Sequence, residues 1–313
     1  MRSRDVRECA AIVASHPVAG PRYGTTACDL GPVWLRLLGR EAFRAVVLED
    51  SDGSRARRVG VGVSAFVSDD FLLAMKSAPF FWVGPELIKR LNRGEFPLLT
   101  DKQMREANRN GGLNLVVWEG ALRPEDMNST EALNANVNAF VEQHRGFLLN
   151  ELISHGNSLE TLEVALRSGG LLLGADGQYT DRIEKPLHEF LAQPHYVGLT
   201  RDLALSRFGT WIGSLFIYQA PLFGFRPSEQ RLLLTALRGG TDEELADELA
   251  ISLSAIKKTW VLIYDRVAAR RPDLFANASQ LEELTPERGK GKKQRLLVYL
   301  REHPEELRPA SPP

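Results

Sequence analysis

The 313-residue sequence predicts a mixed α/β N-terminal region followed by an all-α C-terminal region. Three observations predict this division. Apolar runs rich in β-branched residues, AFRAVVLED (42–50), RRVGVGVSAFVS (57–68) and the glycine-bounded LNLVVWEG (113–120), read as strands. Helical stretches stand between and after them. From position 225 onward every hydrophobic pattern has the helical period.

In chain order, the first 20 residues form an amphipathic helix with Val6, Cys9, Ile12 and Val13 on one side. A Gly/Pro/Thr segment follows. The strands at 42–50 and 57–68, joined by the turn SDGSRA, make a hairpin. Helical pieces at 69–76, 85–92 and 101–109 lead to the Asn-Gly-Gly of 110–112 and the third strand. Residues 131–155 read as one long helix and 158–168 as another. GGLLLGADG (169–177) is a short apolar run between glycines, and RIEKPLHEFLAQP is a helix broken by proline. WIGSLFIYQ (211–219) reads as a last strand. The boundaries are therefore a mixed α/β region over 1–220, in one or two lobes, a helical domain over 221–271, and a basic linker, short helix and disordered tail over 272–313.

A hydrophobic fraction of 43% with 25% charged residues is ordinary for a globular chain long enough for about two domains. The net charge of -1 confines any nucleic-acid surface to a local patch. Cys9 and Cys28 make no disulfide framework and fit a reducing compartment. The N-terminal apolar run is too short for a signal peptide, and no stretch of about 18 apolar residues offers a membrane span. The expected location is cytoplasmic. The six histidines show no metal-ligand spacing with Cys, Asp or Glu, so neither metal nor cofactor is expected.

The most informative stretch is TDEELADELAISLSAIKKTWVLIYDRVA (241–268). Thr241 and Glu244 form a capping box, and Asp242, Glu243 and Glu244 fill the positive end of that helix dipole. Leu245, Ala246 and Leu249 make its inner face, and Ala246 lets two helices cross closely. The helix ends near Ala250, and Ser252 caps the next. There Ile256, Trp260, Ile263 and Val267 form one apolar stripe. Ser254, Lys257, Lys258 and Val261 lie opposite, so the first turns of that face are polar and basic. Two helices joined by about three residues, the second with donors early on its exposed face, is a helix-turn-helix plan. Such a helix fits the major groove.

FRPSEQRLLLTALRGGTDEELADELAISLSAIKKTWVLIYDRVA (225–268) resembles the LuxR-type helix-turn-helix of bacterial transcription regulators. The resemblance rests on Pro227, Glu229, Leu232 to Leu237, Gly240, Leu245-Ala246, Ile251-Ser252, Ile256-Lys257 and Ile263-Tyr264. It implies double-stranded DNA as partner, bound usually by a homodimer. Carried to this chain, it places Ser252 and the following amides on phosphate and Lys257 and Lys258 on phosphate or guanine. Ser254 and Val261 flank them, Thr241 lies at the edge of the footprint, and Trp260 packs the helix. Arg226, Ala255, Trp260, Val261 and Asp265 depart from the family pattern. Asp265 would repel phosphate, which concentrates the footprint on the first half of the helix. Beyond the motif, RGKGKKQR (288–295) carries Arg288, Lys290, Lys292, Lys293 and Arg295 without an acid, and Lys292 and Lys293 are expected to touch the DNA backbone.

The 42–68 hairpin with its following strand and helix is weakly similar to the acyl-CoA-dependent N-acetyltransferase fold. The nearest match to that family's phosphate loop is QHRGFL (143–148), where Gln143 and Gly146 fit but Leu148 replaces a small residue. A decayed version serving as a sensor or assembly domain is expected, with a small molecule or protein as effector. An acyltransferase with an accessory helix-turn-helix is the alternative, and a purely assembling module a third reading. Asp69 and Asp70 lack the partners of a phosphoacceptor site, and no Gly-x-Ser-x-Gly elbow occurs. The aromatic run PFFWVGPEL (79–87), with Trp34 and Trp118, is expected to be core rather than a ligand pocket.

Overall fold

The computed structural model describes residues 1–50, 57–183, 185–207, 209–276 and 290–309. The expected turn SDGSRA, Arg288 and the last four residues lie outside them. The chain divides into two compact units, Met1–Ile217 and Tyr218–Pro313.

The first unit is mixed α/β. Helices α1 (Val6–Ser15), α2 (Ala19–Tyr23) and α3 (Leu30–Leu37) precede strands β1 (Phe43–Asp50) and β2 (Arg57–Val67). Helices α4 (Asp69–Lys76), α5 (Val83–Asn92) and α6 (Asp101–Ala107) lead to β3 (Leu113–Leu122). Then come α7 (Thr130–His144), β4 (Leu149–Ser154), α8 (Leu159–Arg167), β5 (Leu171–Leu173) and β6 (Tyr179–Thr180). Helix α9 (Leu187–Leu191), β7 (Val197–Thr200), α10 (Arg201–Ser206) and α11 (Trp211–Ser214) complete the unit. Small polar residues start many of these helices: Ser68, Thr100, Ser129, Ser158 and Thr200 each accept an amide of the first turn.

The seven strands form one sheet in the order β1-β2-β3-β4-β7-β5-β6. β1, β2 and β3 are antiparallel, as the hairpin pattern predicts. β2 opposes Val63 to Glu119 and Ser64 to Val117, so Trp118 is the extra residue of a bulge. β3 pairs in parallel with β4 only from Leu113 to Val116. Beyond that the two strands have separate neighbours, since β4 pairs with β7 through Ser154. Trp34 and Trp118 are fully buried and meet edge to face with centroids 6.4 Å apart, so these two are core, whereas Phe80, Phe81 and Trp82 are half-buried.

Two expected elements are different in the structure. The long helix of 131–155 ends at His144, and 149–154 is strand β4. Gly146, at φ 82°, turns the chain there. LNELIS becomes a strand because Leu149, Leu152 and Ile153 are all buried in a central position, a placement that erases alternation. WIGSLFIYQ is not a strand. Thr210 caps the short helix α11 by accepting from the Gly213 amide, and the Trp211 indole donates to Ser168. Leu215 and Phe216 still reach the core from the turn that follows, which explains the strand-like hydrophobic run. Strand β7 and helix α3 were not anticipated; four residues are too few to carry a period.

The second unit contains α12 (Pro227–Ala236), α13 (Asp242–Leu249), α14 (Leu253–Arg270), α15 (Asp273–Ala276) and α16 (Lys290–Glu302), then a 3₁₀ turn at Pro304–Leu307. Among the described residues it has no strand. Its core is separate and joins Phe223, Leu233, Leu245, Ile256, Ile263 and Leu300. The basic run from Lys290 onward opens α16 instead of forming a linker. Glu306, 1% exposed, accepts the amides of Leu222 at 2.7 Å and Phe223 at 2.9 Å and so ties the end of the chain to the start of this unit.

Candidate nucleic-acid interface

Helix α13 begins at the capping box read from the sequence. The Thr241 hydroxyl accepts the Glu244 amide at 3.3 Å, and the Thr241 amide donates to the Glu244 carboxylate at 2.7 Å. The box occupies the Thr241 amide, while the hydroxyl, which accepts here, keeps its O–H as a donor. At the other end, the Ile251 amide donates to the Ala246 carbonyl at 3.0 Å and the Ala250 amide to that of Asp247 at 3.3 Å. This is a Schellman closure with alanine in the left-handed position. Ala250, at φ 54°, is the only non-glycine with positive φ among the described residues. The three residues Ala250 to Ser252 therefore redirect the chain, and the Ser252 hydroxyl starts α14 by accepting the Ala255 amide at 3.1 Å.

Helix α14 has 18 residues and two contrasting faces. Ile256, Trp260, Ile263 and Val267 are buried, as their spacing predicts. Ser254, Lys257, Lys258 and Val261 are exposed on the other face and, with Leu253, line a shallow open depression along the first turns. Among the described residues neither Lys257 nor Lys258 makes an ion pair. Asp265 is exposed one turn beyond Val261 and brings the first negative charge on that face.

Lys292 and Lys293 lie on the first turn of α16, and both are half-buried. Lys293 is engaged internally. Its Nζ donates to Asp242 Oδ1 at 2.8 Å and lies 5.2 Å from the centroid of the Trp260 ring. The Trp260 indole N–H donates to the same Asp242 oxygen at 3.3 Å. The face of α14 thus gathers four of the eight residues expected at the interface. Ser252 stands at its start, while Thr241, Lys292 and Lys293 belong to other helices.

The first unit holds a second polar cluster that the sequence did not reveal. Glu119 on β3 is 2% exposed; its carboxylate accepts from the Tyr23 hydroxyl at 3.0 Å and from Asn157 Nδ2 at 2.5 Å. Asn157 Nδ2 also donates to the Gly120 carbonyl at 2.9 Å, beyond the end of the β3–β4 pairing. Arg22 donates to Asn157 Oδ1 and the Gly156 carbonyl and stacks 3.8 Å above Trp82. His155 completes the group, with Nε2 4.0 Å from Glu119 and a buried Nδ1 that has no hydrogen-bond partner. Burial raises the Glu119 and Tyr23 pKa values, and for Tyr23 the adjacent carboxylate adds to the effect. Burial, reinforced by Arg22, holds His155 well below the usual histidine range, and burial lowers His195. These residues come from three distant segments, 22–23, 119 and 155–157, so no single local spacing marks the cluster. The available signal was Glu119 inside a mostly apolar strand.

Two catalytic readings can be checked against the geometry. The QHRGFL match spans the end of α7 and the turn before β4, and the Leu148 amide is taken by Asn108 Oδ1 at 2.8 Å. Phe147 is fully buried, so this segment offers no open cradle for a phosphate. Ser64 Oγ and His144 Nε2 are 2.7 Å apart, and His144 Nδ1 is 2.7 Å from the Phe140 carbonyl. A carbonyl only accepts, so Nδ1 carries the proton and Nε2 accepts from Ser64. Both residues are at most 2% exposed, and His144 packs against Phe66 and Phe140, so no substrate reaches the pair. Among the described residues no group of His, Cys, Asp and Glu could hold a metal ion, and no helix is long and apolar enough to cross a membrane.

Comparison with protein-family models and with curated proteins finds no match to this chain.

Proposed function

We propose that this protein is a DNA-binding transcription regulator whose second unit carries a LuxR-type helix-turn-helix and whose first unit senses an effector or holds a homodimer. The observation that carries the reading is the α14 surface. Two exposed lysines without an ion pair among the described residues, with Ser254 and Val261 beside them, occupy the first turns of a helix anchored along its whole opposite face. A helix so mounted presents its early residues to base edges and phosphates. The three-residue turn between α13 and α14 and the close packing of Leu245 and Ala246 support the same reading. In a homodimer, two such helices would address a palindromic operator in the cytoplasm.

Against the acyltransferase alternative stands the QHRGFL segment, whose Leu148 amide is taken by Asn108 and whose Phe147 is buried. The test is fluorescence anisotropy of the full chain with DNA from upstream of its own gene and with unrelated DNA, across a salt series. Tight, salt-sensitive binding that prefers the upstream fragment supports a site-specific regulator. Equal affinity for both DNAs, or none at low salt, refutes it. Binding of acetyl-CoA by calorimetry would revive the alternative.

A further inference from the structure

The expectation that Lys293 neutralises a DNA phosphate conflicts with how it is held. Its ammonium group donates to Asp242 Oδ1 at 2.8 Å, lies 5.2 Å from the Trp260 ring centroid and is 23% exposed. Asp242 belongs to the first turn of α13, and Trp260 is the central buried residue of α14. One lysine on α16 therefore touches both helices of the turn motif. Trp260 stacks on Tyr264 at 5.6 Å, and Tyr264 meets Phe275 of α15 edge to face, which extends the contact chain along the same side of α14.

We propose that Lys293 is a positioning residue: it clamps Asp242 and Trp260 together and thereby sets the angle at which α14 offers Lys257, Lys258 and Val261. This rests on the DNA-binding reading above. The physical case is the charge balance. Asp242, Glu243 and Glu244 crowd three carboxylates into one helix turn. The dipole of α13 favours them, and Lys293 supplies a counter-charge bonded to Asp242. Moving that ammonium group out to a phosphate would forfeit both the ion pair and the cation–π contact. Lysine is a point charge on a flexible stem, so arginine at the same place can keep both contacts.

The two roles differ in what they do to DNA binding. A phosphate contact weakens all DNA alike and contributes to the salt dependence, whereas a residue that aims a reading helix changes discrimination. The experiment measures anisotropy with upstream and unrelated DNA for the full-length wild type, Lys293→Ala, Lys293→Arg and Asp242→Asn, with melting temperatures alongside. It also records the indole N–H resonances; Trp260 is assigned by its loss in Trp260→Phe. Lys293→Ala is expected to cut the upstream-to-unrelated affinity ratio by about 3–10-fold with the salt slope unchanged, the scale of one partly exposed ion pair plus a cation–π contact. The Trp260 resonance should move in Lys293→Ala and Asp242→Asn, and Lys293→Arg should restore the ratio. A slope lower by about 0.9 with an unchanged ratio would overturn the proposal in favour of a phosphate contact. A lower melting temperature with ratio and slope both intact would reduce Lys293 to a structural tie and overturn it as well. Wild type that binds neither DNA removes the DNA-binding reading itself, and the positioning role falls with it.

Discussion

Ala250 is the point where the turn between α13 and α14 can be tested by one methyl group. It sits at φ 54°, ψ 43°, exposed, at the left-handed position of the Schellman closure. An L-residue with a Cβ pays about 1–2 kcal/mol for that conformation, which glycine avoids. Glycine in turn loses about 0.5–1 kcal/mol more conformational freedom on folding. The difference leaves Ala250→Gly more stable by about 0.5–1 kcal/mol. For a unit of roughly 100 residues that raises the melting temperature by about 2–8 °C. Ala250→Val should move it the opposite way, because a β-branched residue is a clear outlier there. Scanning calorimetry of the full chain, following the transition of the second unit, reads both variants. The exposed side chain has no packing to lose, so backbone conformation alone sets the sign. A lower melting temperature for Ala250→Gly, or a stabilised Ala250→Val, would refute the left-handed turn and with it the described angle between the two helices.

Three further outcomes are expected. Replacing Lys257 and Lys258 together by alanine should lower the slope of log affinity against log salt by about 1.8 if both meet phosphate, with the melting temperature unchanged because both lysines are exposed; an unchanged slope and affinity would remove them from the interface. Glu306→Gln leaves one of the amides of Leu222 and Phe223 facing a donor and should cost about 1–3 kcal/mol in urea unfolding, so full stability would refute the tie between the chain end and this unit. Acidification should destabilise the first unit: burial depresses the folded pKa values of His155 and His195 below 6.5, so the unfolded chain takes up protons that the folded chain refuses. The stability is fully present above pH 6.5 and falls by about 1.4 kcal/mol per pH unit per histidine below it, until each folded pKa is reached. Urea midpoints at several pH values should show this, and His155→Phe should flatten the curve; an unchanged slope would mean that His155 already protonates in the folded state.

The sequence was most informative where structure is local. The capping box of Thr241 and Glu244, the cap at Ser252 and the stripe Ile256, Trp260, Ile263, Val267 each lie within one or two helical turns, and each forms as read. The hairpin of β1 and β2 was legible for the same reason, since its two strands are neighbours in the chain and pair with each other. Reading failed where burial replaced alternation, as in LNELIS, and where a capped turn buried a run of hydrophobics without extending it, as in WIGSLFIYQ. It failed again for the Glu119 cluster, because Tyr23, Glu119, His155 and Asn157 share no spacing.

By itself, then, the amino-acid order determined the mixed α/β character of the first region, the helical start and end signals of α13 and α14, and which residues of α14 face outward. Hydrogen bonds and apolar contacts between residues a few positions apart are enough for that. Only the tertiary structure decided that β7 inserts between β4 and β5, that Asn157 bridges Glu119 and Gly120, and that Lys293 turns inward to Asp242 and Trp260. Each depends on segments far apart in the chain meeting in space, and the chemistry of a lysine is the same whether its nearest acceptor is a carboxylate on another helix or a phosphate outside.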